Sequence, residues 1–331
     1  MNSNFDFVAV GDIVADAFIR LSEAHVDKHK NNESKELCIR YGAKIPYDSV
    51  EVVYAVGNCA NAAVAAARLG LSSALLSNQG KDGVGERNLE SLKANNVSTD
   101  LVTTHEGIPS NYHYVLLYKA DRTILVKHQV YPYVMPDIGS PKWLYLTSLG
   151  ETSLAFHGAI ASYLAEHPDI KLVFQPGTFQ IRLGKDKLAE IYKHSYLFFC
   201  NKDEAQEILG VKEQDVKNLM ESLRSLGPKI VCVTDGPDGA YAMNESGEAW
   251  FMPPYPDPAD PLDRTGAGDA FASTFATALA LGKSVSTALA WAPINSMSVV
   301  QKIGAQAGLL TRDKLEQYLT SAPGSYQSKK I

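Results

Sequence analysis

The chain lacks the marks of several protein classes. Its four cysteines, at 38, 59, 200 and 232, are too few for a disulfide scaffold and are not paired as in a zinc site, so they read as reduced thiols. No apolar run approaches the ~18 residues that a membrane span needs. The start, Met1-Asn2-Ser3-Asn4-Phe5-Asp6, has neither the basic residues nor the apolar core of a signal peptide. Both absences point to a cytoplasmic protein. Positive charge forms no block: 31 Lys and Arg stand against 37 Asp and Glu, a formal net charge of −6, which argues against nucleic acid or an anionic membrane as the main partner. The eight histidines are scattered, giving no support to a His-based triad or zinc site. Also missing are a Gly-x-x-x-x-Gly-Lys-Ser/Thr P-loop, a strand-linked Gly-x-Gly-x-x-Gly and His-Glu-x-x-His.

What is present suits a packed enzyme for a small ligand. Over 331 residues the chain is 45% hydrophobic and 21% charged, and it is long enough for one large α/β domain or two modest ones. Phe7 to Val14 reads as a buried strand entering a loop near Gly11. Ser73 to Ser77, Lys171 to Phe174 and Ile230 to Thr234 read as further strands. Helical character covers Asn61 to Leu69, stopped by Gly70, and also Leu154 to Glu166 and Val216 to Leu226. Strands alternating with helices predict a mostly parallel sheet covered on both faces. Two further β-looking regions, Leu37 to Val53 and Tyr112 to Val126 with a turn at 120–122, could form a small separate sheet. Ser22 to Glu36 is polar, and the tail from Ser321 to Ile331 is expected to fray.

The most informative segment is Asp263-Arg264-Thr265-Gly266-Ala267-Gly268-Asp269-Ala270-Phe271, which opens an Ala-rich stretch. Small residues at 266 to 268 let the backbone approach a ligand, and a following helix would turn its free N–H groups and positive dipole end towards an anion. An aspartate at that helix start could take a proton from an attacking hydroxyl. The same residues would equally make a tight turn with a helix-start aspartate. Asn201-Lys202-Asp203-Glu204 follows the apolar Tyr196 to Cys200, and a carboxylate at a strand-to-helix turn can hold the waters of Mg²⁺ or simply start a helix.

Taken together, these segments resemble the pfkB/ribokinase family of carbohydrate kinases. The Asp263 to Asp269 stretch is similar to that family's C-terminal signature. Val56-Gly57-Asn58-Cys59-Ala60-Asn61, running to Arg68-Leu69-Gly70, is similar to its first signature, although Val56 stands where a glycine is usual. Asn201 and Glu204 match its Asn-x-x-Glu motif, and Thr234, Gly236 and Gly239 match its nucleotide loop. The resemblance spans Val8 to about Leu310. It implies a three-layer ribokinase-like α/β fold with a central mostly parallel sheet. It also implies one domain over 1–331, with a β lid from about 14–22, 36–55 and 110–130.

By that resemblance Asp269 is the catalytic base, and Gly266, Ala267 and Gly268 form the anion hole. Asp12, Asp16, Gly57, Asn58 and Asn61 bind substrate, with Asp16 on its hydroxyls. Asn201, Thr234, Gly236, Gly239 and Asn295 bind nucleotide, with Gly304-Ala305 on the adenine side. Glu204 holds Mg²⁺ through water, and Asp263 is a candidate ligand for K⁺. The implied reaction transfers the γ-phosphoryl group of ATP to a hydroxymethyl group of a sugar or sugar-like molecule, in a homodimer joined through the lid. A nucleoside acceptor of the adenosine type is the alternative, in which Tyr112, Tyr114, Tyr131 and Tyr133 could stack on a base. A non-catalytic sensor on the same fold is a third reading. A sugar-phosphate acceptor would suit the positive charge of Arg40, Lys44, Arg122, Lys127 and His128.

Overall fold

The computed structural model describes residues 5–28, 35–119 and 121–331. Its main sheet runs in the order Val97–Ser98, Ser73–Gly80, Phe7–Val10, Trp143–Leu146, Lys171–Phe174, Ser195–Asn201 and Ile230–Thr234, all parallel. Three antiparallel strands, Ala240–Met243, Ala249–Met252 and Lys329–Lys330, extend one edge, and Val102–His105 pairs beside Ser73–Gly80.

The central strands are apolar along their whole length because both faces are covered, as parallel sheets require. Alternate side chains divide between two cores. Phe7, Ala9, Tyr145, Val173 and Phe199 pack under the helices Asn58–Arg68, Ala267–Ala280 and Val285–Val300. Val8, Val10, Leu144, Leu146, Phe174 and Phe198 pack under Leu154–Glu166, Lys202–Leu209 and Val216–Arg224. The result is a three-layer α/β arrangement.

A second sheet of four strands stands apart, in the order Asp121–Leu125, Tyr112–Tyr118, Val14–Leu21 and Tyr47–Val56. Its inner residues Phe18, Val115 and Leu117 are buried against Val53 and Ile303. Three sequence expectations need correction here. Lys35–Cys38, expected in the small sheet, pairs instead with His25–Lys28 in a two-stranded ribbon. The strand His25–Lys28 lies within the stretch read as merely polar; its continuation at 29–34 lies outside the described residues. Asp121 and Arg122 already belong to a strand, so they are not in the turn; Lys119 before them has φ 56°, and Ala120 lies outside the described residues.

The tail also departs from expectation. Tyr326 is buried and its hydroxyl donates to Ala290 O, while Lys329–Lys330 adds a strand beside Ala249–Met252. An aromatic anchor and backbone pairing hold a segment whose composition suggested fraying. Among the described residues no helix is long and apolar enough to cross a membrane, and all four cysteines are unpaired.

Candidate active site

Parallel strands align their C-terminal ends along one edge, where ligands of open α/β sheets collect. Here Asp12 follows Phe7–Val10, Ser148 follows Trp143–Leu146, and Gln175 follows Lys171–Phe174. Asn201 and Thr234 end their own strands side by side, in register with each other. All five line one cavity of about 730 Å³, whose other wall is the inner face of the small sheet.

The helix Ala267–Ala280 starts at the cavity floor. Its N-cap Gly266 has φ 79°, in the left-handed region that favours glycine, and a Cβ there would lie 2.3 Å from the Ala305 Cβ. Gly268 faces open space, with nothing within 4 Å of where a Cβ would stand. The first-turn N–H groups of a helix lack intrahelical acceptors and carry its positive dipole end, so this floor can receive an anion. Asp269 sits in that turn. It accepts hydrogen bonds from Asn58 Nδ2 (2.8 Å) and Gln175 Nε2 (3.3 Å) on Oδ1, and from Asn61 Nδ2 (2.8 Å) on Oδ2. Burial raises its pKa above the usual carboxylate range, and those three amide donors work in the opposite direction.

The loop before Asn58 explains how Val56 replaces a glycine. The positive φ values fall on Ala55 (55°) and Gly57 (97°), so Val56 needs no left-handed backbone and pairs in register with Val14. Gly57 is required, since a Cβ there would stand 2.8 Å from Asp12 O. Glu204 also lines the cavity. Its Oε2 accepts from Asn201 N while Asn201 Oδ1 accepts from Glu204 N, a reciprocal cap that fixes the carboxylate at the helix start. Burial raises the Glu204 pKa, with Glu207, Asp269 and Asp203 adding like-charge repulsion.

The two aspartates near the first strand differ. Asp12 is surrounded by donors: Tyr133 Oη (2.8 and 2.9 Å), Gly150 N (2.8 Å) and His128 Nδ1 (3.2 Å). Burial and the Asp12 charge push the Tyr133 phenol well up, which keeps it a donor. Asp12 therefore positions Tyr133 and His128. Asp16 Oδ1 lies 3.4 Å from His113 Nδ1 and has no hydrogen-bond partner.

A second, more apolar cavity of about 300 Å³ adjoins the first and shares Thr234, Arg264, Gly268 and Phe271 with it. Gly236, Gly239 and Ala267 line this one, with Pro293, Ser296 and Met297 beyond.

Asn58, Asn61, Gly57, Asn201, Glu204, Thr234, Gly266, Gly268, Asp269 and Ala305 thus gather at the main cavity. Asn295 does not. It is fully buried, donates to Thr274 Oγ1 (2.8 Å) and accepts from Leu310 N (2.9 Å), so it joins two helices and a loop and lines neither cavity. Asp263 lies behind the floor, accepting from Thr265 N, Thr265 Oγ1 and Gly304 N. Of the four tyrosines none lines the main cavity: Tyr112 and Tyr114 pack on each other, and Tyr131 packs on His105. Arg122 and His128 line it, whereas Arg40, Lys44 and Lys127 do not. Gln175, His113, Phe179 and Arg182 were missed, because no motif surrounds them. For Gln175 a signal existed, namely a polar residue directly after a buried parallel strand.

Comparison with known proteins agrees with this geometry. Residues 31–312 match the pattern of the pfkB family carbohydrate kinases. The chain belongs to that family. It is accordingly a phosphotransferase with an alcohol group as acceptor. The ribokinase of Bacillus subtilis is 28% identical over 80% of this chain and 87% of its own. That of Haemophilus influenzae is 25% identical over 85% of this chain and 92% of its own. The structure of Arabidopsis thaliana ribokinase complexed with ribose and ATP superposes with a TM-score of 0.79 at 20% identity, covering 95% of this chain and 98% of the other. A Methanocaldococcus jannaschii nucleoside kinase superposes with a TM-score of 0.76 at 19% identity over 95% and 98%. At these identities the superpositions establish the ribokinase fold.

Proposed function

We propose that this chain transfers the γ-phosphoryl group of Mg·ATP to a hydroxymethyl group of a sugar or sugar-like molecule, with Asp269 as the base. The observation that carries this reading is the Asp269 carboxylate, fixed by three side-chain amides in the first turn of a helix whose N-terminus opens into the cavity. The acceptor oxygen bonds to the γ-phosphorus as the bond to the bridging oxygen breaks. ADP leaves with the electron pair, and the hydroxyl proton passes to Asp269. Charge developing on the moving phosphoryl group meets the N–H groups at Gly266 and Gly268, and that of Ala267 once it releases Arg264 O, to which it donates at 3.4 Å, in a low-dielectric setting where such dipoles act strongly.

The nucleotide takes the second cavity along Thr234, Gly236 and Gly239, and Arg264 stands where the two cavities meet. Glu204 fits a magnesium role: one of its oxygens is fixed by Asn201 N and its carboxylate faces the cavity, as a group holding metal-bound water should. Bound Mg²⁺ would neutralise phosphate charge. Asp263 has four acceptor positions and three donors, which leaves one for K⁺. Asp16, with an unpartnered oxygen, takes acceptor hydroxyls. Asn58 and Asn61 act on the acceptor side through the carboxylate they hold.

The small sheet serves as the lid. Its outer face carries Val50, Tyr114 and Leu125, each about half exposed, which supports a homodimer joined there. Sedimentation would show the dimer, and Tyr114→Glu should weaken it. The nucleoside alternative loses the stacking role foreseen for its four tyrosines. A coupled ADP-release screen over free sugars, sugar phosphates and nucleosides tests the whole reading. If no acceptor releases ADP above the ATP-only background, the chain is a sensor and the kinase reading fails.

A further inference from the structure

Buried polar side-chain atoms nearly always have partners, so the exceptions show where a ligand's polar groups belong. Among the described residues five such atoms lack one, and three of them, Asp16 Oδ1, His113 Nε2 and Arg122 Nε, belong to residues that line the main cavity from the small sheet. Asp16 is 8% exposed and His113 9%. The remaining two are threonine hydroxyls outside the cavity wall. The unsatisfied atoms therefore concentrate on the roof of the acceptor end.

Their chemistry is mixed: one carboxylate oxygen, one guanidinium nitrogen that donates, and one imidazole nitrogen whose role follows the tautomer. The surroundings add a second guanidinium and a second imidazole. His113 packs edge-on against His128, whose ring meets Phe179, and the Arg182 guanidinium lies 6.0 Å from the Phe179 ring centre. Arg122 faces the cavity together with Ile124, at alternate positions along the outermost strand, and with Val126 just beyond it. Asp12 and Asp16 each have a histidine beside them, whereas neither Arg122 nor Arg182 has an ion-pair partner among the described residues. The acceptor end thus carries two guanidinium groups that stand outside any ion pair among the described residues.

A neutral sugar would satisfy Asp16 and leave both guanidiniums without an ion-pair partner, at a cost for Arg122, which is part-buried where the cavity loses water, and little for the exposed Arg182. An anionic group would meet them with charge-assisted, potentially bidentate hydrogen bonds. We infer that the acceptor is an anionic polyol, a sugar acid or a sugar phosphate. Its hydroxyls lie on Asp16 and its carboxylate or phosphate lies on Arg122, with His113 and Arg182 contributing. The inference rests on the kinase reading above and deepens it.

The test is steady-state ADP release on matched acceptors that keep a free hydroxymethyl group: glucose against gluconate, and fructose against fructose 6-phosphate, with adenosine as a further arm. At least one anionic member should exceed its neutral parent in kcat/KM by 100-fold or more, and the pair that shows it separates carboxylate from phosphate. Arg122→Gln should shrink that anionic-to-neutral ratio at least tenfold, and Arg182→Gln, at an exposed position, should shrink it in the same direction. A thermal shift by the preferred anion without ATP should weaken in both variants. Equal use of the neutral parents, preference for adenosine, or a ratio unchanged in both variants would overturn the inference while leaving the kinase reading intact. The last outcome would mean that Arg122 serves ATP phosphates. No ADP release with any acceptor would overturn both.

Discussion

At the floor of the main cavity the Asp269 carboxylate accepts three amide hydrogen bonds, whereas on its roof Asp16, His113 and Arg122 each keep an atom without a partner. The two regions are built for different moments. The floor belongs to the large sheet and its helices, and it is preorganised before any ligand arrives, as charge stabilisation requires. The roof belongs to a small sheet with one thin core of Phe18, Val115 and Leu117, and in the proposed reading its polar atoms find partners when an acceptor binds.

If the floor does the chemistry, Asp269→Asn should have a larger effect than any substitution on the roof. We expect kcat to fall by ~10²–10⁴ with little change in ATP affinity. Burial raises the Asp269 pKa, so the folded state ionises later than the unfolded chain. Ionisation therefore costs the fold stability, beginning at the unfolded value and complete above the folded one. Asp269→Asn should consequently melt no lower than the parent at neutral pH. In the parent, kcat/KM should decline as pH falls through the raised value, because the base becomes protonated. A variant within about threefold of parental activity would remove Asp269 from the mechanism.

The roof should respond in KM. Asp16→Ala should raise the acceptor KM by about 10–100-fold, the loss of hydrogen bonds to a charged group, and leave the ATP KM nearly unmoved. Parallel rises in both constants would erase the division between floor and roof. Glu204→Gln tests the metal side of the floor: the Mg²⁺ concentration for half-maximal rate should rise about tenfold, as when a group supporting a metal site is lost. An unchanged Mg²⁺ titration would argue against that role.

The smallest functional effect is expected at Asn295. Replacing it by Ala removes the bonds to Thr274 and Leu310, costing about 1–3 kcal/mol in denaturant unfolding, while the ATP KM stays within twofold. A large rise in ATP KM at unchanged stability would return Asn295 to the nucleotide site.

The contrast between Asn295 and Asp269 also shows what a linear motif can convey. Gly266 to Asp269 is legible because the close approach, the helix start and the base all fall within four residues, so local chemistry dictates all of it. Glu204 and Asn201 are legible for the same reason, since their reciprocal cap spans four residues. Asn295 lies on a helix face whose direction no neighbouring residue reveals, and the packing of Val285–Val300 against Ala267–Ala280 turned it inward. His113 and Arg182 looked like ordinary polar residues of a strand and a short helix. The tail resembled a frayed end because a buried tyrosine and a two-residue strand leave almost no trace in composition.

The sequence alone determined the layered α/β core, through apolar strands alternating with helices, and which residues make the floor, through local motifs. Tertiary structure alone decided which of the two early aspartates keeps an unpartnered oxygen. It also decided which of five candidate cationic residues reach the cavity, and where the orphan atoms collect. Asp12 and Asp16 are four residues apart and chemically identical. Tyr133 and Gly150, more than a hundred residues away, surround the first with donors and leave the second open. Contacts at such separation depend on how strands from distant parts of the chain are laid side by side, which no local pattern encodes.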